Sequence, residues 1–210
     1  MRGMKRLRHV VQTALLLLAG AIIVRADAQE WRVVSETNGV RLEAREVDGE
    51  RFDELRVATS HAPPETVAEY LGGRYLDEKN PNITRTFIRR SGTITIWSDI
   101  LRTPIIRDRC YAMRFERQDL GDGAIRVRFS TSDYVGPAPL GCVALHARGE
   151  WVLTPIAVGT RITYASLTDI GGKIPAALSR RTLADAAVLN VRKVVAGASG
   201  LPLPRGIGDP

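Results

Sequence analysis

The feature that most constrains this chain is an alternation of apolar and polar side chains that recurs from residue 82 to residue 169. In the clearest run, Ile125, Val127 and Phe129 fall on one face, and Arg126 and Arg128 fall on the other. One buried and one wet face is the pattern of antiparallel strands. The runs that read as strands are residues 82–90, 93–100, 109–118, 124–133, 144–156 and 160–169. Glycine-containing turns separate several of them.

A predicted hairpin and a short helix precede this series. Residues 41–47 and 52–61 are strand candidates on either side of a turn at 48–50, which together predict a hairpin. A short helix over 64–73 is indicated by Pro64 near its start, an acidic first turn and two glycines at its end.

The chain ends in a second, longer helix, predicted from Pro175 to Ser199. Its apolar residues recur at spacings of four and three, which places on one face Ala184, Val188, Val191, Val195 and Ala198. A helix of this kind is suited to cover the apolar face of a sheet. We therefore predict an α+β fold, a curved antiparallel sheet covered by the C-terminal helix. The Pro- and Gly-rich residues 201–210 are predicted to form a disordered tail.

Residues 1–28 have the pattern of a signal peptide. A basic start is followed by 15 mostly apolar residues, Val10–Val24, and by small residues before Gln29. This run is shorter than the ~20 residues that a membrane span needs. The sequence predicts export, to the periplasm, with an uncleaved segment that anchors the protein to the membrane as the alternative.

The charge is concentrated in that segment. The whole chain carries +7, but the first 28 residues hold five basic residues and one acidic residue, which leaves +3 for the remainder. A domain of +3 without a basic cluster does not indicate a nucleic-acid partner. It allows transient contact with acidic membrane surfaces. We expect a monomer.

Several other site classes are excluded by spacing. Lys173 follows two glycines, but the pattern of a phosphate-binding P-loop is not met. His61 and His146 lack neighbours at ligand spacing, so neither a metal nor another cofactor is predicted. Carboxylates near strand ends, such as Asp99, are expected to be solvated. Cys110 and Cys142 could form a disulfide in an exported protein or could both be small buried side chains.

Three stretches in one order resemble the START domain, the steroidogenic-acute-regulatory-protein-related lipid transfer module of the helix-grip superfamily. They are WRVVSETNGVRLEAREVDG at 31–49, TPIIRDRCY at 103–111 and ARGEWVLTPIAVGTRITYASLTDIGGKIPAAL at 147–178. The resemblance implies that residues 29–200 form a lipid-binding domain. It also implies that the sheet grips the last helix around an internal hydrophobic tunnel that holds one lipid-like molecule.

The resemblance also suggests where a ligand would bind. The predicted cavity walls are Ile125, Val127, Phe129, Val188, Val191 and Val195. Arg107 and Asp108 match the family's Arg-Asp pair, although Asp108 and Arg109 fit in a shifted register. The pair would contact a polar ligand head or form an ion pair at the sheet edge.

The segment before the last helix is predicted to move. Gly171 and Gly172 would form its hinge, and Ile174, Pro175 and Leu178 would form the lip of the tunnel entrance.

The predicted function is binding, and by extension transfer, of one hydrophobic molecule without catalysis. The alternative is a cyclase- or aromatase-like enzyme of the same superfamily that acts on a hydrophobic substrate. It would need polar side chains that point into the cavity, whereas Arg126 and Arg128 fall opposite the apolar set.

Overall fold

The computed structural model describes residues 30–45, 53–102 and 106–205, without the side chains of residues 176–178. These residues form ten strands and three helices. The strands are β1 Arg32–Thr37, β2 Val40–Ala44, β3 Glu54–Ser60, β4 Ile83–Ser91, β5 Ile94–Leu101, β6 Arg109–Gly121, β7 Ala124–Ser132, β8 Val143–Ala144, β9 His146–Pro155 and β10 Thr160–Asp169. The helices are α1 Pro64–Gly72, α2 Arg74–Asp77 and α3 Ala176–Ala198.

The strands form one curved, open sheet in the order β1-β2-β3-β10-β9-β7-β6-β5-β4. Neighbours along this path are antiparallel, and β8 adds a short parallel pairing with β6. The first three strands thus join the last one, since β3 pairs with β10. The predicted antiparallel sheet with a long C-terminal helix is confirmed.

The alternation in the sequence corresponds to the two faces of this sheet. Ile125, Val127 and Phe129 are buried on the inner face, whereas Arg128 is exposed and Arg126 is half-buried on the outer face. The strand at 160–169 has the predicted bounds, and the run at 144–156 is broken at Leu145 between β8 and β9.

Helix α2 was not predicted because four residues are too few to show a helical period.

Helix α3 packs mainly against β3, β10 and α1. Its most buried residues are Ala187, Val191 and Val194, whereas Val188 and Val195 are only partly buried. The buried face is therefore rotated from the predicted one, because contacts on both sides of the helix decide which residues are covered. No helix among the described residues is both long and apolar enough to cross a membrane.

Candidate functional site

The inner face of the sheet has two halves that differ in burial. In the half beside α1, which we call the closed half, Ile125, Val127, Leu153 and Ile162 are fully buried. Helix α1 packs there against β7 and β9. At the opposite ends of the strands, the inner-face residues are only partly buried; these residues, the open half, are Tyr111, Met113, Thr131 and Ser166. The described side chains thus fill the closed half and leave the open half incompletely covered.

A row of aromatic rings lies along the boundary between the halves. The ring centroids are 4.9 Å apart for Trp97 and Phe115, 5.7 Å for Phe115 and Phe129, and 6.0 Å for Phe129 and Tyr164. Trp151 continues the row at 4.2 Å from Tyr164. The rings pack in edge-on, tilted and, for Phe129 and Tyr164, stacked arrangements, so they form a continuous aromatic floor for the open half.

A buried carboxylate lies beside this row. Asp99 on β5 has no exposed surface, and its two oxygens accept four hydrogen bonds. Arg85 donates from Nε at 2.8 Å and from Nη2 at 2.7 Å. Trp97 Nε1 and the Tyr111 hydroxyl each donate at 3.0 Å. A charge without exposed surface is tolerated only when it is paired and bonded in this way.

The arginine of this cluster is held as firmly as the acid. Its Nη1 donates to the Leu76 carbonyl of α2 at 2.8 Å, and its guanidinium lies 4.9 Å above the Trp97 ring. Burial by itself lowers the pKa of Arg85, but the hydrogen bonds and charge of Asp99 outweigh it and leave the pKa raised. Arg85 is therefore charged, and it ties β4, β5 and α2 together.

Two tyrosines border the open half. Burial, followed by the neighbouring Asp99 charge, raises the pKa of Tyr111 well above its usual range, so its hydroxyl stays protonated and donates to Asp99. Burial likewise raises the pKa of Tyr75 on α2, whose ring lies 6.3 Å from Trp151. Both tyrosines nevertheless keep part of their surface uncovered. Both rings therefore lie deep in the fold without being completely covered by the described residues.

The loop between β10 and α3 is attached to the start of β6 by one buried arginine. Arg109 donates from Nε to the Ile170 carbonyl at 2.6 Å and from Nη2 to the Gly171 carbonyl at 3.0 Å. Its Nη1 donates to the carbonyl of Arg107. These bonds lie at the ends of the strands that carry the open half. The loop can therefore move only if its hydrogen bonds with Arg109 break.

The same loop is tightly packed at Gly171. This residue has a φ of +63°, and Gly172 has a φ of +74°. A Cβ on Gly171 would lie 2.9 Å from Val143 Cγ1 and would also collide with the Ala144 carbonyl oxygen. Gly171 is thus required by its backbone and by its neighbours, and its role as a hinge stays a prediction.

Replacing Gly171 with alanine is expected to lower the free energy of unfolding by about 1–3 kcal/mol, from the left-handed backbone and the collision with β8. Gly92 is the matched control, since it is exposed and a Cβ there would meet nothing within 4 Å. Gly92→Ala should stay within about 0.5 kcal/mol of the parent. Urea unfolding measures the free energy of unfolding of both variants. Equal decreases would show that the neighbours of Gly171 move to accept the added methyl group.

The two cysteines flank this region. Cys110 on β6 is joined to Cys142 by a disulfide, with Cα atoms 6.0 Å apart. The structure thereby decides between the two states that the sequence left open. The bond holds the segment before β8, whose Val143 packs against Gly171.

The predicted polar pair lies at the edge of this site. Arg107 is exposed and Asp108 is partly buried, and neither forms an ion pair among the described residues. The backbone carbonyl of Asp108 accepts from Val143 N at 2.9 Å. The buried charged residue of this stretch is Arg109, which belongs to the alternative pair of Asp108 and Arg109. A role for Arg107 and Asp108 in ligand contact stays a prediction.

None of the other predicted residues whose side chains the structure describes belongs to the open half. Ile125 and Val127 lie in the closed half, and Phe129 belongs to the aromatic row. Val191 is fully buried in the core. Ile174 is partly buried, Pro175 is exposed at the start of α3, and the side chain of Leu178 lies outside the described residues.

Sequence reasoning missed Arg85, Asp99 and Tyr111, and the expected solvation of Asp99 is wrong. A signal was present, because Asp99 has the same alternation phase as Trp97 in its strand. In the described part of the chain, no group of three or more His, Cys, Asp or Glu side chains could hold a metal ion.

No family model matches the sequence, and no curated protein matches it. Solved structures do match. The STAR-related lipid transfer protein fragment 25–204 from Xanthomonas axonopodis is 22% identical with a TM-score of 0.67, over 80% of this chain and 98% of that one. The lipid transfer and protein localization domain of human StarD13 is 19% identical with a TM-score of 0.62, over 80% and 89%. Human StAR-related lipid transfer protein 5 is 18% identical with a TM-score of 0.60, over 81% and 88%.

Proposed function

We propose that this chain, which has the START-like helix-grip fold expected from its sequence, binds one lipid or other hydrophobic small molecule in the open half of its interior. The observation that carries the proposal is the uncovered inner-face surface of Tyr111, Met113, Thr131 and Ser166 above a complete aromatic row. The named relatives of this fold are lipid transfer proteins.

A space of this kind is unstable when neither ligand nor water fills it. At about 24 cal/mol per Å³ of cavity, a void of roughly 300 Å³ would cost ~7 kcal/mol. The whole stability of a domain is ~5–15 kcal/mol. A bound apolar chain removes this cost and adds ~0.8 kcal/mol for each buried CH₂ group.

The polar groups of the open half suit a ligand with a hydroxyl or other donor at one end. The Tyr111 proton is used on Asp99, which leaves the Tyr111 oxygen free to accept. The route to this site would pass the loop that Arg109 holds, and release of that loop would admit the ligand.

Two matched substitutions to tryptophan test whether the open half contains unfilled space or a solid core. Met113→Trp would fill the open half, so it should change stability by less than about 1 kcal/mol and abolish lipid uptake. Leu153→Trp would overpack the closed half, where Leu153 has no exposed surface, and should cost about 1–3 kcal/mol.

Stability is measured by urea unfolding, and uptake by denaturing mass spectrometry of lipid that copurifies with the protein. Equal destabilisation by both substitutions, together with no lipid in the parent protein, would refute the proposal.

Binding is favoured over catalysis by the state of the one fully buried carboxylate among the described residues. Both oxygens of Asp99 are occupied by donors, so they are not free to take a substrate proton. Turnover of a hydrophobic substrate that is lost in Asp99→Asn, while the folded state persists, would favour the enzyme instead.

Export to the periplasm and transient contact with a membrane surface remain part of the proposal. The mass of the mature protein tests export directly, since cleavage before Gln29 removes residues 1–28.

A further inference from the structure

A groove lies along α3, on the side that faces the first hairpin. It consists of two adjoining depressions of about 340 Å³ and about 400 Å³, which share Asn38, Val40 and Arg192. Leu201 follows α3 and borders the second depression, where its amide donates to the Ala196 carbonyl at 2.8 Å. The groove lies beyond the open half, since neither depression includes one of its residues. Val188 and Val195, which were predicted as cavity walls, border this groove.

Much of the groove wall is apolar. The apolar side chains that line it include Val40, Leu42, Val188, Leu189, Val195 and Leu201. They come from β2, from α3 and from the segment after α3. An elongated wall built by a helix, a strand and a tail offers an alkyl chain contact along its length.

Positive charge is placed within this apolar wall. Arg56, Arg192 and Arg205 line the first depression, whereas Asp185 is the single acidic residue that lines it. Neither Arg192 nor Arg205 forms an ion pair with any residue that the structure describes. Two guanidinium groups are therefore available to a negatively charged group.

Arg56 is the third guanidinium in the groove, and one of its N–H groups has no hydrogen-bond acceptor among the described residues. The residue is 8% exposed and points from β3 towards α3, next to Tyr164. Its Nη1 lies 2.7 Å from Glu54 Oε2, but its Nε has no hydrogen-bond partner. A buried donor without a partner is costly, and such a donor in a cationic pocket indicates an acceptor that the chain itself does not supply.

We propose that this groove is a second binding site, for a single-chain amphiphile with an anionic oxygen head. The alkyl chain lies along the apolar wall, and the carboxylate or phosphate head binds Arg192 and Arg205 near Arg56. Arginine suits this role because its planar donors match the paired oxygens of either head. The groove thus differs from the interior site in the charge it selects.

The experiment uses three probes with the same alkyl chain: dodecanoate, dodecyl phosphate and dodecanol. Each is titrated by calorimetry into the parent protein and into Met113→Trp, in which the interior is filled. In Met113→Trp, both anions, or one of them, should bind at least about tenfold more tightly than the alcohol. The tighter anion identifies the head.

Substitutions then locate the site. Arg192→Gln and Arg205→Gln should each weaken the preferred anion by about tenfold and leave dodecanol unchanged. Arg128→Gln is the matched control, because Arg128 lies on the outer face with 63% of its side chain exposed. It should have no effect.

The inference is overturned if the alcohol binds Met113→Trp as tightly as the anions do, or if both groove substitutions leave anion binding unchanged. Alcohol binding that is lost in Met113→Trp and insensitive to Arg192→Gln supports the interior site only, whereas anion binding that is lost in Met113→Trp refutes the groove. Anion binding that persists in Met113→Trp and is weakened by Arg192→Gln supports the groove alone.

Discussion

Asp99→Asn is expected to lower the free energy of unfolding by about 3–5 kcal/mol, because it leaves the Arg85 charge without its partner in the interior. The size of asparagine is close to that of aspartate, so the loss reports the charge and not a cavity. Trp97 and Tyr111 also lose their strongest acceptor. Urea unfolding at neutral pH measures the change.

The chain contains a matched control for this prediction. Asp77 and Arg90 form an ion pair with the same two residue types, but their side chains are 52% and 40% exposed. Water and salt screen such a pair, so Asp77→Asn should cost less than about 1 kcal/mol. If the two substitutions cost the same, the Asp99 cluster is open to solvent and is not a buried ion pair.

Reduction of the disulfide between Cys110 and Cys142 is expected to cost about 3–4 kcal/mol, from the chain entropy that the bond removes from the unfolded state. The two cysteines are 32 residues apart, and this segment contains all of β7 and the loop before β8. Guanidinium unfolding with and without a thiol reductant measures the loss.

A double variant, Cys110→Ala with Cys142→Ala, completes this experiment. It should be about as unstable as the reduced parent, and the reductant should not change it further. A parent protein with two titrated free thiols and unchanged stability would contradict the prediction. Because the bond fixes the segment that packs on Gly171, the reduced protein should also exchange amide hydrogens faster at residues 170–172.

The predictable part of the site follows from alternation. The phase of Ile125, Val127 and Phe129 was enough to place them on the buried face, since side chains alternate along any strand. The phase was not enough to say whether a buried position borders a ligand or solid core. That difference depends on α1, which covers the ends of β7 and β9 near Ile125 and Val127 and does not reach Tyr111.

The charged part of the site was harder to predict. Asp99 and Arg85 are 14 residues apart, on neighbouring strands, and each alone resembles a solvated strand residue. Their pairing depends on the register of β4 with β5, which includes a bulge between Phe87 and Arg89. No local pattern specifies such a register shift.

The sequence by itself determined most of the antiparallel strands, the inner face of a strand such as β7, the long last helix and the resemblance that named the fold. The strands and the long helix follow from short-range periodicity along each segment, whereas the fold name comes from the resemblance of three stretches of the sequence. The tertiary structure alone decided that Asp99 is buried, that Arg109 holds the loop, that the two cysteines are bonded and that Arg56 and Arg192 line one groove. Those features depend on distances between residues that are not neighbours in the chain, and strand register together with packing of the sheet against α3 sets those distances.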